Sequence, residues 1–388
     1  MTEAPPRPNV ATLASAGKLA LAAPVLTGAG RLADSIALPA GALLHAGPAY
    51  RALEEIPRCV LNAAAAAAMA EGWAADLAEG RAAVAAGEIA LAPAQNHGLV
   101  VPLAFVAGPS TAILTVACRE TGAVGRAPLN DGPPKDAARF GAPTADTATR
   151  LRMLAEVAAP ALNRALLAKP IVLNGIAAAA LRQGDELHAS VRAANTLLLE
   201  RLAPMISDAD VQAYLASAGQ FFLNVWMAAA LAMLNAGAGV AGSSLLAGAG
   251  ANGVRTGVRL ASAPAVWLEQ SAAAPRGPRL SDDLAAVAVS PSVGDSAVIE
   301  AAGFGALAAR HAPAVEAAFA PYQPARSSQD DLGVAPHPAF ADLNLNVGVD
   351  RARLGPATPM PAHFAMLDAA GEIGLVGRGR LDFWSAPE

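Results

Sequence analysis

The most suggestive chemistry in the sequence is a histidine flanked by a carboxylate and a guanidinium, Asp185, His188 and Arg192, at i, i+3 and i+7. On one helix face the carboxylate could orient the imidazole while the guanidinium holds an anion; a solvated charged face fits the spacing equally well. Gln95-Asn96-His97 stands between two apolar runs, where its side chains would gather at a strand end, a usual place for sites in α/β sheets. A histidine hydrogen-bonded within a loop is the plainer alternative. Asn130-Asp131-Gly132, with Lys135 and Arg139 behind it, offers cations and turn amides suited to a carboxylate or phosphate, although surface loops often look the same. Gly242-Ser243-Ser244 and Gly294-Asp295-Ser296 put short polar groups after glycine, where backbone can approach a ligand or a side chain can cap a helix. Asn224 and Glu300 are single polar residues in apolar runs, each either a site residue or a buried structural hydrogen-bonder.

Several familiar chemistries lack their residues. Gly28-Ala29-Gly30-Arg31-Leu32-Ala33 imitates a dinucleotide fingerprint, but Pro39 cuts short the helix that must follow. The GxGxxG matches at Gly237 to Gly242 and Gly248 to Gly253 come after a helix, the reverse of the required order. No Walker lysine, HExxH, GxSxG elbow or cysteine-histidine zinc spacing occurs. No metal or cofactor is expected.

The elements that must position these residues read as a mixed α/β chain, sheet-containing at both ends with a helical middle. Residues 1–18 read as a disordered lead, 19–145 as an α/β region, 146–236 as helical, and 237–388 as an α/β region ending in a hairpin. Short strands are expected within Leu19 to Leu26, Ile36 to Leu44, Ile89 to Pro93, Val100 to Val106 and Ala112 to Cys118. A long loop then runs from Arg119 to Thr147. The alanine-rich Ile56 to Glu79 predicts a helix, as do Ala148 to Leu167, Leu173 to Leu202, Asp208 to Ala216 and Phe221 to Leu234. Val254 to Leu260, Val266 to Leu268 and Val287 to Val289 return to strand character, and Ile373 to Val376 with Arg380 to Phe383 suggests the final hairpin.

Composition narrows the function classes. Of 388 residues 54% are hydrophobic but only 4% aromatic, so the core is rich in small side chains. A formal charge of -5 without a basic stripe argues against nucleic acid as a partner. Cys59 and Cys118 form no CxxC pair and fit buried thiols in a reducing, cytoplasmic setting. Phe221 to Ala251 is apolar, but its asparagines, serines and glycines favour a buried helix and loop over a membrane span.

Taken in order, the polar islands resemble a bacterial family that includes a subunit of oxamate carbamoyltransferase. The stretches that carry the resemblance are Leu44-His45-Ala46-Gly47-Pro48, Glu71-Gly72-Trp73, Leu129-Asn130-Asp131-Gly132 with Arg139-Phe140-Gly141, and Gly184-Asp185-Glu186-Leu187-His188. Further along come Phe221-Phe222-Leu223-Asn224, Gly242-Ser243-Ser244, Asn252-Gly253, and Gly294-Asp295-Ser296 with Glu300 and Gly303. The resemblance implies carbamoyl transfer between phosphate and the nitrogen of a small acid amide such as oxamate, in purine or allantoin nitrogen catabolism. It implies small anionic substrates and phosphate, an acyl-CoA-synthetase-like partner subunit, and a homo- or hetero-oligomeric complex. Such chemistry needs anion holders, oxyanion donors and a proton-transfer group. On this reading Lys135 and Arg139 hold anions, Asn130, Ser243 and Ser244 donate, and His188, oriented by Asp185, moves the proton, with His97 as the alternative. Arg192, Asn224, Asn252, Asp295 and Glu300 complete the expected substrate contacts. Two other readings stand beside it, a non-catalytic scaffold or regulatory subunit and a binding protein for a small acid or acyl-CoA.

Overall fold

The most apolar stretch of the chain, Phe221–Gly237, is a helix buried at every position but Leu223 and Asn235 in the computed structural model. The structure describes residues 6–129, 137–322 and 332–385. In chain order the first part contains α1 (Val10–Ala20), β1 (Pro24–Arg31), β2 (Ala42–His45), α2 (Arg58–Glu71), α3 (Leu77–Ala85), β3 (Ala90–Pro93), β4 (Ala112–Cys118) and β5 (Val124–Pro128). Helices then dominate: α4 (Asp146–Met153), α5 (Ala159–Ala168), the short β6 (Ile171–Val172), α6 (Asn174–Arg182), α7 (Arg192–Leu202), α8 (Ala209–Ser217) and α9 (Phe221–Gly237). The last part carries β7 (Leu246–Asn252), β8 (Arg255–Leu260), β9 (Ala263–Ser271), β10 (Val293–Gly294), α10 (Val298–Ala301) and α11 (Pro313–Phe319). It closes with β11 (Gly333–Pro336), β12 (Asn346–Val349), β13 (Met360–Leu367) and β14 (Leu375–Trp384). The class is mixed α/β, with strands in the N- and C-terminal parts and helices between them, as the apolar patterning indicates.

Two four-stranded antiparallel sheets, β5-β4-β1-β6 and β10-β7-β8-β9, form the framework, joined by a parallel β2-β3 pair and the hairpins β11-β12 and β13-β14. Helix α9 packs on β4, β5, β7 and α1. Its two buried-side asparagines explain themselves here: Asn224 Nδ2 donates to Pro128 O and Asn235 Nδ2 to Val124 O, both at 2.9 Å. Three helical turns span about 16 Å, enough to reach both ends of β5, so polar side chains satisfy strand-end carbonyls that the helix would otherwise bury unpaired. The largest apolar cluster includes Leu26, Leu162, Trp226, Val258 and Phe383 and thus draws on all three parts of the chain. Among the described residues no single helix is long and apolar enough to cross a membrane. A bent pair, α8 with α9, satisfies that test together. Cys59 and Cys118 are buried free thiols, pushed up by burial to about 11 and about 12 respectively.

Local chemistry overrides the sequence pattern at several places. The expected disordered lead is ordered from Val10, where Asn9 Oδ1 accepts from Thr12 N and starts α1. The expected helix over Ile56 to Glu79 breaks at Gly72, in the left-handed region, and restarts as α3 behind the Asp76 cap. Val100 to Val106 and Val287 to Val289 are not strands, whereas β5 lies inside the expected long loop and β7 in an apolar run taken for loop. The helix expected over Leu173 to Leu202 is two helices, because residues 183–191 find hydrogen bonds elsewhere. The final hairpin pairs β13 with β14; the two segments expected to pair with each other lie around one strand, β14.

The second GxGxxG run is strand β7, and its glycines make room for a buried polar knot. A Cβ on Gly250 would stand 2.2 Å from Asp295 Oδ1. That carboxylate accepts from Gly47 N, Gln95 Nε2 and Val101 N. Burial pushes the Asp295 carboxyl up to about 6 against the lowering pull of these donors and of Arg259. A carboxyl raised in the fold stabilises most when protonated. Its contribution is therefore complete below its ordinary value of 3.8 and lost as pH rises through about 6. Denaturation midpoints compared at pH 4 and pH 7 should show this loss in the parent and a flatter profile in Asp295→Asn.

Candidate functional site

A cavity of about 320 Å³ opens between the helical middle and the C-terminal hairpin, lined by His188 and Ala189, Arg139 and Phe140, Asn224 of α9, Ser296, His363 of β13 and Arg378 of β14, among others. At its back lies a buried cluster of acids and bases. His188 Nδ1 stands 2.7 Å from Glu300 Oε1, and Glu186 Oε2 accepts from the His188 backbone N–H at 2.9 Å. Both carboxylates are wholly buried. Glu300 Oε1 also accepts from Ala306 N at 3.1 Å and from His363 N at 3.3 Å. It reaches them past Gly305, where a Cβ would lie 2.2 Å from that oxygen. His363 Nδ1 lies 3.7 Å from Glu186 Oε1. On its far side Arg380 Nε donates to His363 Nε2 at 2.9 Å, and the same guanidinium pairs with Glu316.

Electrostatics sets the protonation of His188. Burial pulls its pKa down, but the adjacent Glu300 and Glu186 carboxylates outweigh that and raise it above 6.5. Burial pushes Glu186 up, while His363 and then His188 pull it further the other way, so it is held low. The imidazole is thus fixed on its carboxylate side and lines the cavity, the arrangement of an oriented general base or acid.

Backbone strain concentrates at the same place. Leu187, at φ 74, precedes His188, and Leu103, at φ 46, lines the cavity. Left-handed leucines cost about 1–3 kcal/mol each and persist where surrounding structure over-determines them, which is a mark of functional sites. The loop over residues 183–191 is held by its acids. Glu186 Oε1 accepts from Ser190 N, and Asp185 accepts from Ser190 Oγ and from Ala194 N at the start of α7.

Ligand-capable atoms of His188, Glu300 and His363 lie within 4.8 Å of one another, a spacing that could hold a cation. The donors argue otherwise. Arg380 Nε donates into His363 Nε2, so that nitrogen is not free to make the outward donation by which metal-bound histidines are oriented. A buried guanidinium beside the cluster further disfavours a metal ion.

Of the residues singled out from sequence, Arg139, His188 and Asn224 line the cavity, and Glu300 lies directly behind it. Asp185 does not orient His188, because the two are not on one helix face and its oxygens are taken by Ser190 and Ala194; Glu300 holds the ring instead. Arg192 begins α7 and lines an adjoining cavity of about 650 Å³ that shares Ala189, Phe319 and Arg378 with the first. Ser243 and Ser244 are elsewhere: Ser243 Oγ accepts from Leu245 N, and Ser244 links Thr12 to Asp350. Asn252 shapes the β7-β8 turn by accepting from Val254 N and Arg255 N. Asp295 belongs to the knot under β7, and His97 follows β3 at the end of a short 3-10 turn; neither lines the cavity. Asn130 and Lys135 lie outside the described residues. Given no site role from sequence were Glu186, His363, Arg380 and Glu316, although Glu186 stands in the Gly184 to His188 stretch. A lone histidine in an apolar strand and an acid between Asp185 and Leu187 carry no spacing signal until β13, β14 and the 183–191 loop come together.

Comparison with known proteins gives the family. The family model for oxamate carbamoyltransferase subunit AllG matches residues 89–296. The oxamate carbamoyltransferase subunit AllG of Escherichia coli (strain K12) is 32% identical over 283 residues, 70% of this chain and 67% of that protein. An uncharacterized protein of the same organism, YahG, is 28% identical over 380 residues, 92% of this chain and 79% of its own length. The crystal structure of a conserved protein of unknown function from Enterococcus faecalis V583 superposes with a TM-score of 0.85 at 24% identity, covering 96% of this chain and 93% of that one, and so shares the fold.

Proposed function

The chain belongs to the oxamate carbamoyltransferase subunit AllG family, and from that premise we propose that its cavity is the carbamoyl-transfer site of a multi-subunit enzyme. The observation that carries this reading is the His188–Glu300 pair at the wall of a cavity that Arg139 also lines. In the proposed step the amide nitrogen of oxamate, or of a similar small acid amide, attacks the carbamoyl carbon of carbamoyl phosphate. The new N–C bond forms, the C–O bond to phosphate breaks, and His188 takes the proton from nitrogen and delivers it to the departing phosphate. Glu300 stabilises the imidazolium in between. Arg139 and Arg378 supply the positive charge that two anions require. Ser296 lines the cavity with a buried hydroxyl that has no partner among the described residues, which suits a donor to the oxyanion that develops. The same groups serve the reverse direction, phosphorolysis of the N-carbamoyl product. An acyl-CoA-synthetase-like subunit is the proposed partner.

Arg139→Ala tests the assignment. Loss of a charge-assisted contact should raise the KM for the anionic substrate by about 10- to 100-fold and change kcat much less, measured as phosphate release by the reconstituted complex. Unchanged kinetics would remove the cavity from the reaction and leave the chain a scaffold.

A further inference from the structure

We infer that the cavity takes an acid amide carrying a hydrocarbon body, in preference to oxamate itself; this rests on the reading of the cavity as the acceptor site. Oxamate has no hydrocarbon group: each of its carbons bears oxygen. The lining is otherwise largely hydrocarbon, with Leu103, Phe140, Leu223, Met227, Phe364 and Leu375 beside the few polar groups. Against such walls a wholly polar anion gives up hydration and gains contacts at the polar lining alone, the arginines, the histidines, the amides and the serine hydroxyls. The volume admits a hydrocarbon body: about 320 Å³ falls in the range of pockets that enclose drug-sized ligands, and with carbamoyl phosphate at the polar groups, an acceptor as small as oxamate brings no hydrocarbon to cover the apolar walls.

The apolar part is not loose surface. Phe140 and Phe364 are buried, Met227 is a buried residue of α9, and Leu103 is held in its strained left-handed conformation. The Leu103 conformation persists only where the surrounding structure over-determines it, as at ligand clamps. Leu223, one of the two residues of α9 that escape full burial, sits beside Asn224, so apolar and polar lining alternate along one helix. A ligand with an amide and a carboxylate at one end and a branched or aromatic body at the other satisfies both.

The test is a binding series on the full chain by titration calorimetry, using oxamate, succinamate and 2-phenylmalonamate. Each buried methylene should tighten binding about fourfold, so 2-phenylmalonamate should bind more than tenfold tighter than oxamate. Leu223→Trp, which fills the apolar part, should bring the ratio of those two affinities close to one. Oxamate binding as tightly as the phenyl compound in the parent chain would overturn the inference while leaving the carbamoyl-transfer reading intact. If none of the three binds, both fall.

Discussion

His188→Asn and Glu300→Gln are each expected to lower the proposed carbamoyl transfer by the reconstituted complex about 10²- to 10⁴-fold, the range that positioned acid–base groups supply. The two losses do not add, because both substitutions remove one function, an imidazole held by a carboxylate at 2.7 Å. They differ in pH dependence. Acting as a base, His188 must be neutral, so the rate climbs as pH rises through its pKa, which the two carboxylates raise above 6.5 against the pull of burial. Removing the Glu300 charge lets burial prevail, and the acid limb of the residual activity in Glu300→Gln moves to lower pH. A merely structural Glu300 would reduce the rate without moving that limb. Activity within threefold of the parent in His188→Asn would exclude this histidine from proton transfer.

The sequence made part of this site legible and hid the rest for physical reasons. Arg139, His188 and Asn224 stood out because polar side chains among alanines and leucines must be satisfied or used, and all three line the cavity. Local spacing misassigned their partners. Asp185 is three residues from His188, as a helix would require, yet the chain leaves the helix after Arg182 and Asp185 caps the next one. Glu300 and His363 are 112 and 175 residues downstream of His188, and no periodicity measures a contact closed by a different sheet. The fold class was readable because alanine-rich helices and short apolar strands announce themselves. Ser243, Ser244, Asn252 and Asp295 drew notice for the same reason as the site residues, and each proved to serve a turn or a buried network. Polarity in an apolar context marks where a hydrogen bond is needed, without saying whether protein or ligand supplies it.

The largest stability effect belongs to a residue with no contact to the His188 ring. Arg380→Met is expected to destabilise the fold by about 3–5 kcal/mol, the cost of leaving buried charge uncompensated, read as the shift in urea midpoint at constant slope. Glu186 and Glu300 are wholly buried, and the Arg380 guanidinium is the buried cation that faces them across His363. Its partner Glu316 is half exposed and regains hydration when the pair is broken, so it accounts for little of the cost. Adding Glu316→Gln to Arg380→Met should therefore recover almost nothing, whereas adding Glu186→Gln should recover a substantial part. Arg380→Lys should rescue poorly, because an ammonium cannot donate to His363 and Glu316 at once along two directions of a planar fork. A midpoint within 1 kcal/mol of the parent in Arg380→Met would mean that the two carboxylates are neutralised by the histidines alone, and the chain from Glu316 to His188 would lose its electrostatic basis.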